Sequence, residues 1–219
     1  MMYSEVETTF LHKKKISFFL ATSFVLSVVF TSIPLFIMKY VSIETSLMIM
    51  FFIEFSFGVS VYMVILRHFP HYKIIPERNP EFIKKTLILF ILITLIQTAV
   101  FLYNIRTFQT QVVNLDFLTL ISLVFIIPFY EEIFYRGCLF GFVCSIYNKN
   151  LILPGIISSL TFCLMHTQYF SFLYQAILFT ISSMLIYIRI KTKSLFYPII
   201  LHSGMNAFVV LLNAQSFYR

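Results

Sequence analysis

The sequence predicts an all-α fold: a polytopic transmembrane helical bundle of about seven spans, with the N-terminus cytoplasmic. Three observations predict it. Of 219 residues, 59% are hydrophobic and only 11% charged, and a soluble domain carries about twice that charged fraction. Mean hydropathy is +0.90. The apolar residues run in long blocks, the pattern of a chain that crosses a bilayer repeatedly.

The blocks are Ile16–Met38, Val41–Leu66, Thr86–Tyr103, Leu118–Cys144, Leu151–His166, Phe170–Ile188 and Leu195–Leu212. Most approach the ~20 residues needed to cross ~30 Å of hydrocarbon at 1.5 Å per residue. The first is too long for a signal peptide and lacks a following small-residue cleavage site. The fourth is long and the fifth short. Pro198 suits the first turn of the seventh. No internal repeat or low-complexity tract is visible. Residues 1–115 are expected to hold three spans and a basic cytoplasmic loop, and residues 116–219 a four-helix core.

The net charge of +7 is distributed by topology. With the N-terminus inside, Lys13, Lys14 and Lys15 are cytoplasmic, as are Arg67, Lys73, Arg78, Lys84 and Lys85. Arg136 and Lys149 lie towards or beyond the cytoplasmic end of the fourth block, and Arg189, Lys191 and Lys193 follow the sixth. Only Lys39, Arg106 and Arg219 fall outside, so 13 of the 16 basic residues sit on one side. That is the positive-inside pattern. It explains the basic excess without nucleic acid, which is excluded as a partner; membrane lipids are expected instead. Abundant Ile, Phe, Lys, Tyr and Asn suggest an AT-rich bacterial genome, hence a multi-pass protein of a bacterial plasma membrane. In the second loop, His68 and His71 flank Pro70, which disfavours a regular helix there, so they are not read as metal ligands. Cys138, Cys144 and Cys163 all lie in apolar blocks and read as packing residues.

Charges inside a span cost about 2.5–3.5 kcal/mol each on insertion scales, so intramembrane ionisable groups are candidate functional residues. They are Glu44, Glu54, Glu131, Glu132, Arg136, His166 and His202. In "PFYEEIFYRGCLF", Glu132 and Arg136 are four apart and pair on one helix face, carboxylate first. Glu131 is rotated by about 100° from Glu132 on an α-helix, so the arginine does not serve both. The plainer reading is that both glutamates glue helices together. In "LTFCLMHTQ", Phe162 and His166 share a face, and in "YPIILHSGMNA" His202 and Asn206 do. Taken singly, His166 suits an interfacial packing role and His202–Asn206 an interhelical clamp. Measured from the cytoplasmic helix ends, the three groups reach similar depths and can meet in one polar cavity. Gly137 and Gly204 beside them permit close helix approach. Glu54 and Gln97 read as helix–helix hydrogen-bonding groups.

The ordered set Glu131-Glu132-xxx-Arg136, Phe162-xxx-His166 and His202-xxx-Asn206 resembles the three motifs of the CPBP intramembrane proteases. That family includes type II CAAX prenyl endopeptidases and bacterial bacteriocin-processing and self-immunity proteins. The resemblance covers roughly Leu118–Leu212. It implies a metal-independent, glutamate-dependent intramembrane endopeptidase with no cofactor, acting on a membrane-associated peptide or protein. It further implies Glu131 as general base, His166 assisting it, His202 and Asn206 binding the oxyanion, and Glu132, Arg136 and Phe162 in support. Water attack on an amide needs such a base, and the developing charge needs preorganised donors, which imidazole and amide N–H groups supply.

Three rivals stand beside this. Two histidines and a glutamate suit zinc, although H-E-x-x-H is absent. Cys163 and His166, three apart, suit a thiol nucleophile, but nothing else nearby would activate the thiol. The third rival is a non-proteolytic scaffold or regulator, such as a bacteriocin-immunity protein or sensor-kinase partner, which would engage another membrane protein. A scaffold has no need of the full motif set.

Overall fold

In the computed structural model the described residues are 14–75, 79–107, 117–147, 150–167 and 171–215. Lys13, Arg78, Lys149 and Arg219, counted in the charge pattern, lie outside them. The described chain is a bundle of helices α1 (Lys14–Phe30), α2 (Ile43–Val64), α3 (Pro80–Thr107), α4 (Phe117–Ile146), α5 (Ile152–Met165), α6 (Phe172–Thr192) and α7 (Phe196–Gln215). A short helix, Ile33–Ile37, prolongs α1 after a turn at 31–32. The break precedes Pro34, which has no N–H to give the Phe30 carbonyl four residues back and is tolerated in the first turn of the new helix.

Local chemistry sets the other ends. Ser42 Oγ accepts from the Thr45 amide at 3.2 Å and caps α2. Asn79 Oδ1 accepts from the Glu81 amide at 2.9 Å, and Pro80 opens α3. Helix α3 therefore begins six residues before the expected Thr86. Its polar first turns are helical, with Glu81 and Lys85 paired at 2.6 Å. Between α2 and α3, Leu66–His68 and Pro70–Tyr72 form single 3-10 turns on either side of Phe69, so Pro70 does interrupt regular helix there.

Among the described residues six helices are long and apolar enough to cross a membrane, and α5 is the exception to the expected seven. Its 14 residues span about 21 Å. Asn150 Oδ1 holds the Ile152 and Leu153 amides at 3.1 and 3.3 Å at its start, and the helix stops at Met165. Large apolar side chains point outward, including Phe52, Phe125 and Leu211 at 71%, 62% and 62% exposure. A surface of this kind requires a lipid solvent, so the chain is a multi-pass membrane protein.

Helix α4 is the centre of the bundle, with α1, α2, α5 and α7 packed on it. Leu20, Val61, Leu66, Ile133, Phe134 and Phe140 form a buried cluster on its α1–α2 side. Gly137 and Gly204 do sit at close approaches. A Cβ added at Gly137 would lie 2.9 Å from Leu66 Cδ1, and one at Gly204 would lie 3.0 Å from the Phe90 ring. Glu54 and Gln97 bond between helices as expected: Ser27 Oγ donates to Glu54 Oε1 at 3.4 Å, and Gln97 Nε2 donates to the Met205 carbonyl at 3.2 Å.

One feature of α4 departs from the regular helix expected. It is α-helical at Ile127–Glu131 but widens into π-turns at Ser122–Ile126 and Glu132–Leu139. Proline accounts for one consequence. The Ile127 amide donates to the Ser122 carbonyl, five residues back. Continuing that pattern, the Leu123 carbonyl would need an N–H from residue 128, which is Pro128. Leu123 O is thus left to a partner from another helix. In the second π-turn, Ser158 of α5 donates to the Tyr135 carbonyl at 2.9 Å. π-Bulges inside α-helices are rare and concentrate at functional sites.

Candidate active site

The polar centre lies where α4 meets α5, α6 and α7. Glu132 and Arg136 are both fully buried and pair at 3.0 Å between Glu132 Oε1 and Arg136 Nη1. The expected pairing survives the π-turn because both side chains still leave the helix towards α7 and α6. Glu132 Oε1 also lies 2.8 Å from His202 Nδ1. A carboxylate oxygen accepts, so Nδ1 carries the proton and Nε2 is the atom left to face elsewhere. Arg136 Nη2 donates to Ser182 Oγ of α6 at 2.7 Å. Its guanidinium lies 4.5 Å from the Phe162 ring centroid. One carboxylate therefore holds an arginine and a histidine, and that arginine ties in α6 and α5.

Glu131 differs from its neighbour. Its side chain is 15% exposed, where that of Glu132 is 0%. Its approach to the cluster is the 3.7 Å separation of Oε2 from His202 Nε2, longer than a hydrogen bond.

His166 requires a correction. It does not share a helix face with Phe162, because α5 ends at Met165 and His166 has φ −88° and ψ 61°. It is nonetheless fixed on Phe162. Its ring lies 4.3 Å from the Phe162 centroid, and Nδ1 lies 2.7 Å from the Phe162 carbonyl. That carbonyl is one of the orphan acceptors at a helix C-terminus. It can only accept, so Nδ1 again carries the proton and Nε2 keeps a lone pair. Gln175 Nε2 donates to the His166 carbonyl at 3.3 Å and braces the turn from α6.

Phe162 is the spacer of the site. Its ring meets His166, His202 at 6.0 Å edge-on, and Tyr135 at 5.1 Å. Asn206 is brought to α4 but faces its backbone: Nδ2 donates to the orphan Leu123 carbonyl at 2.8 Å. Its second N–H and its Oδ1 remain. Cys163 turns away from a nucleophile's geometry, since its thiol donates to Gln175 Oε1 at 2.6 Å. Among the described residues, no three His, Cys, Asp or Glu side chains gather as a metal-ligand group.

Ser182, Ser158 and Gln175 were not singled out in the sequence. Their partners lie on other helices, and a small polar residue inside an apolar span carries no signal of its own. Ser182→Ala is expected to lower the stability of the detergent-solubilised protein by about 1–3 kcal/mol, the range for removing a bond to a buried charged group. A thermal or denaturant melt would show it, and an unchanged melt would mean that Ser182 does not support Arg136.

Residues 113–208 match the family model described as type II CAAX prenyl endopeptidase Rce1-like. Among curated proteins, the chain is 32% identical over 114 residues to the Bacillus subtilis (strain 168) protein named "Putative membrane peptidase YdiL", covering 49% of this chain and 43% of that one. It is 33% identical over 85 residues to an "Uncharacterized 24.3 kDa protein" of Escherichia coli, covering 39% of each. The chain thus spans less than half the length of the curated relatives it matches. No solved structure matches it. The matched segment contains every side chain of the polar centre, so the Glu-Glu-xxx-Arg, Phe-xxx-His and His-xxx-Asn sets all lie within the stretch that is similar to the type II CAAX prenyl endopeptidase Rce1-like family.

Proposed function

We propose that this chain is an intramembrane endopeptidase in which Glu131 activates water against a peptide bond of a membrane-associated peptide or protein. The observation that carries this is the inequality of the two adjacent glutamates. Glu132 is sealed and engaged by Arg136 and His202, and Glu131 is partly open with no hydrogen bond to bind its oxygens.

Glu131 takes one proton from a water molecule, and the water oxygen bonds to the carbonyl carbon. The charge that develops on the carbonyl oxygen is met by a donor already in place, the second Asn206 N–H, and His202 adds a second from Nε2 when both of its ring nitrogens carry protons. The C–N bond then breaks, and the amine leaves with the proton that Glu131 holds. His166, with Nδ1–H given to the Phe162 carbonyl, offers its Nε2 lone pair to orient the water or relay the proton. The Rce1-like family match and the membrane-peptidase relative support the peptidase class. The buried Glu132–Arg136–His202 set supports a rigid, water-poor site. No step draws on a metal or cofactor.

The test is comparative mass spectrometry of membrane-associated peptides from cells with and without the gene. A precursor that accumulates in its absence, and is cleaved by the purified protein in the presence of a chelator, is the expected result. Cleavage abolished by the chelator and restored by zinc would replace the glutamate mechanism with a metal one. An unchanged peptide pool with a changed phenotype would favour a scaffold.

A further inference from the structure

Four helix ends meet at the basic end of the bundle. The chain after α2 is tied to the α6–α7 turn by two bonds to one carbonyl: the Leu195 amide and Ser194 Oγ donate to Lys73 O at 3.1 and 2.7 Å. Beside this tie lies a cavity of about 350 Å³, bounded by the 70–75 segment, the first turn of α3, the last turn of α6 and the first turn of α7. This volume falls in the range of small-molecule sites, about 300–1,000 Å³.

The lining divides into two halves. Lys73, Lys191 and Lys193 supply three ammonium groups. The other half is apolar: Phe82 and Tyr197, edge to face at 5.9 Å, and Ile75, which is 81% exposed. Lys193 is positioned by the left-handed backbone that ends α6, at φ 51° and ψ 36°. Glu81, which also feels Lys191, is already paired with Lys85. The local field is positive enough to be felt within the protein. Burial, then the charges of Arg189 and Lys193, hold the His71 ring below the ordinary histidine range.

We propose that this cavity binds the phosphate headgroup of an anionic phospholipid, with the three lysines on the phosphate and Ile75, Phe82 and Tyr197 against the glycerol and first acyl carbons. Free phosphate shares the charge, but it makes no use of the apolar half. The site lies at the ends of the spans, where α3 and α7 begin and α6 stops, and is separate from the Glu131 centre. Its test therefore does not depend on peptidase activity.

The full chain in nonionic detergent is titrated with short-chain phosphatidylglycerol, short-chain phosphatidylcholine and inorganic phosphate, and bound ligand is counted by native mass spectrometry. Phosphatidylglycerol is expected to occupy the site and phosphatidylcholine to leave it empty. K73Q/K191Q/K193N should weaken binding by about fivefold per lysine removed. Asn is chosen at 193 because it tolerates the left-handed backbone, and the Lys73 tie runs through its main chain. The charge-matched control K15Q/K39Q/R67Q should bind as the native protein does. A triple variant that binds undiminished, or a control that loses as much, overturns the proposal. Inorganic phosphate displacing the lipid at equal concentration also overturns it, in favour of a simple anion site. In the native protein, NMR should show the His71 ring titrating at higher pH with phosphatidylglycerol than with phosphatidylcholine. The absence of that rise would count equally against the headgroup.

Discussion

Glu131→Gln is expected to reduce turnover of the processed peptide by about 10²–10⁴-fold, the contribution of a positioned general base, while leaving a bundle that melts like the native protein. The expectation of unchanged stability comes from geometry. Glu131 is 15% exposed and approaches His202 only to 3.7 Å, so glutamine removes a base without stranding a buried partner. The measurement pairs a precursor–product ratio by mass spectrometry with a thermal melt of the same preparation. Full processing by the Glu131→Gln protein would remove Glu131 from the mechanism. A collapsed melt would make it a structural residue.

The neighbouring residue should behave in the opposite sense. Glu132→Gln withdraws the negative charge that faces Arg136 at 3.0 Å and His202 at 2.8 Å, with both glutamate and arginine fully buried. Removing one partner of such a pair leaves an uncompensated charge and costs about 3–5 kcal/mol. The cost should be visible as a lowered melting temperature and a poorer yield of inserted protein. The double variant Glu132→Leu/Arg136→Met should recover most of that loss, because an apolar pair of similar volume removes both charges together. It should stay inactive, since His202 then lacks the acceptor that places its Nδ1 proton. Equal behaviour of Glu131→Gln and Glu132→Gln in both assays would end the division of labour between them.

Much of this site was legible in the chain. Charged residues are so costly in hydrocarbon that their survival marks them, and four-residue spacing was enough to pair Glu132 with Arg136. Less legible was what each motif residue touches. The four-residue spacing places His166 on a helical face with Phe162; instead it lies beyond the helix and is held by the Phe162 carbonyl through a terminal bond that periodicity does not report. Asn206 was expected to project beside His202, yet it completes the backbone of α4. Pro128 made that need readable in principle, because a proline inside a helix always leaves a carbonyl short. Which helix supplies the donor depends on packing between residues 83 positions apart.

Sequence alone determined the solvent this protein lives in, the number and order of its apolar helices to within the short α5, and the few residues too costly to be incidental. These follow from composition and local spacing, because burial in lipid acts on each segment separately. Tertiary structure decided the rest: that α4 opens into π-turns, that Ser182 and Phe162 flank Arg136, that Glu132 is closed while Glu131 stays open, and that loops distant in the chain meet at a basic cavity. Those outcomes depend on contacts between helices, and a contact across 46 or 70 residues leaves no periodicity in the sequence to read.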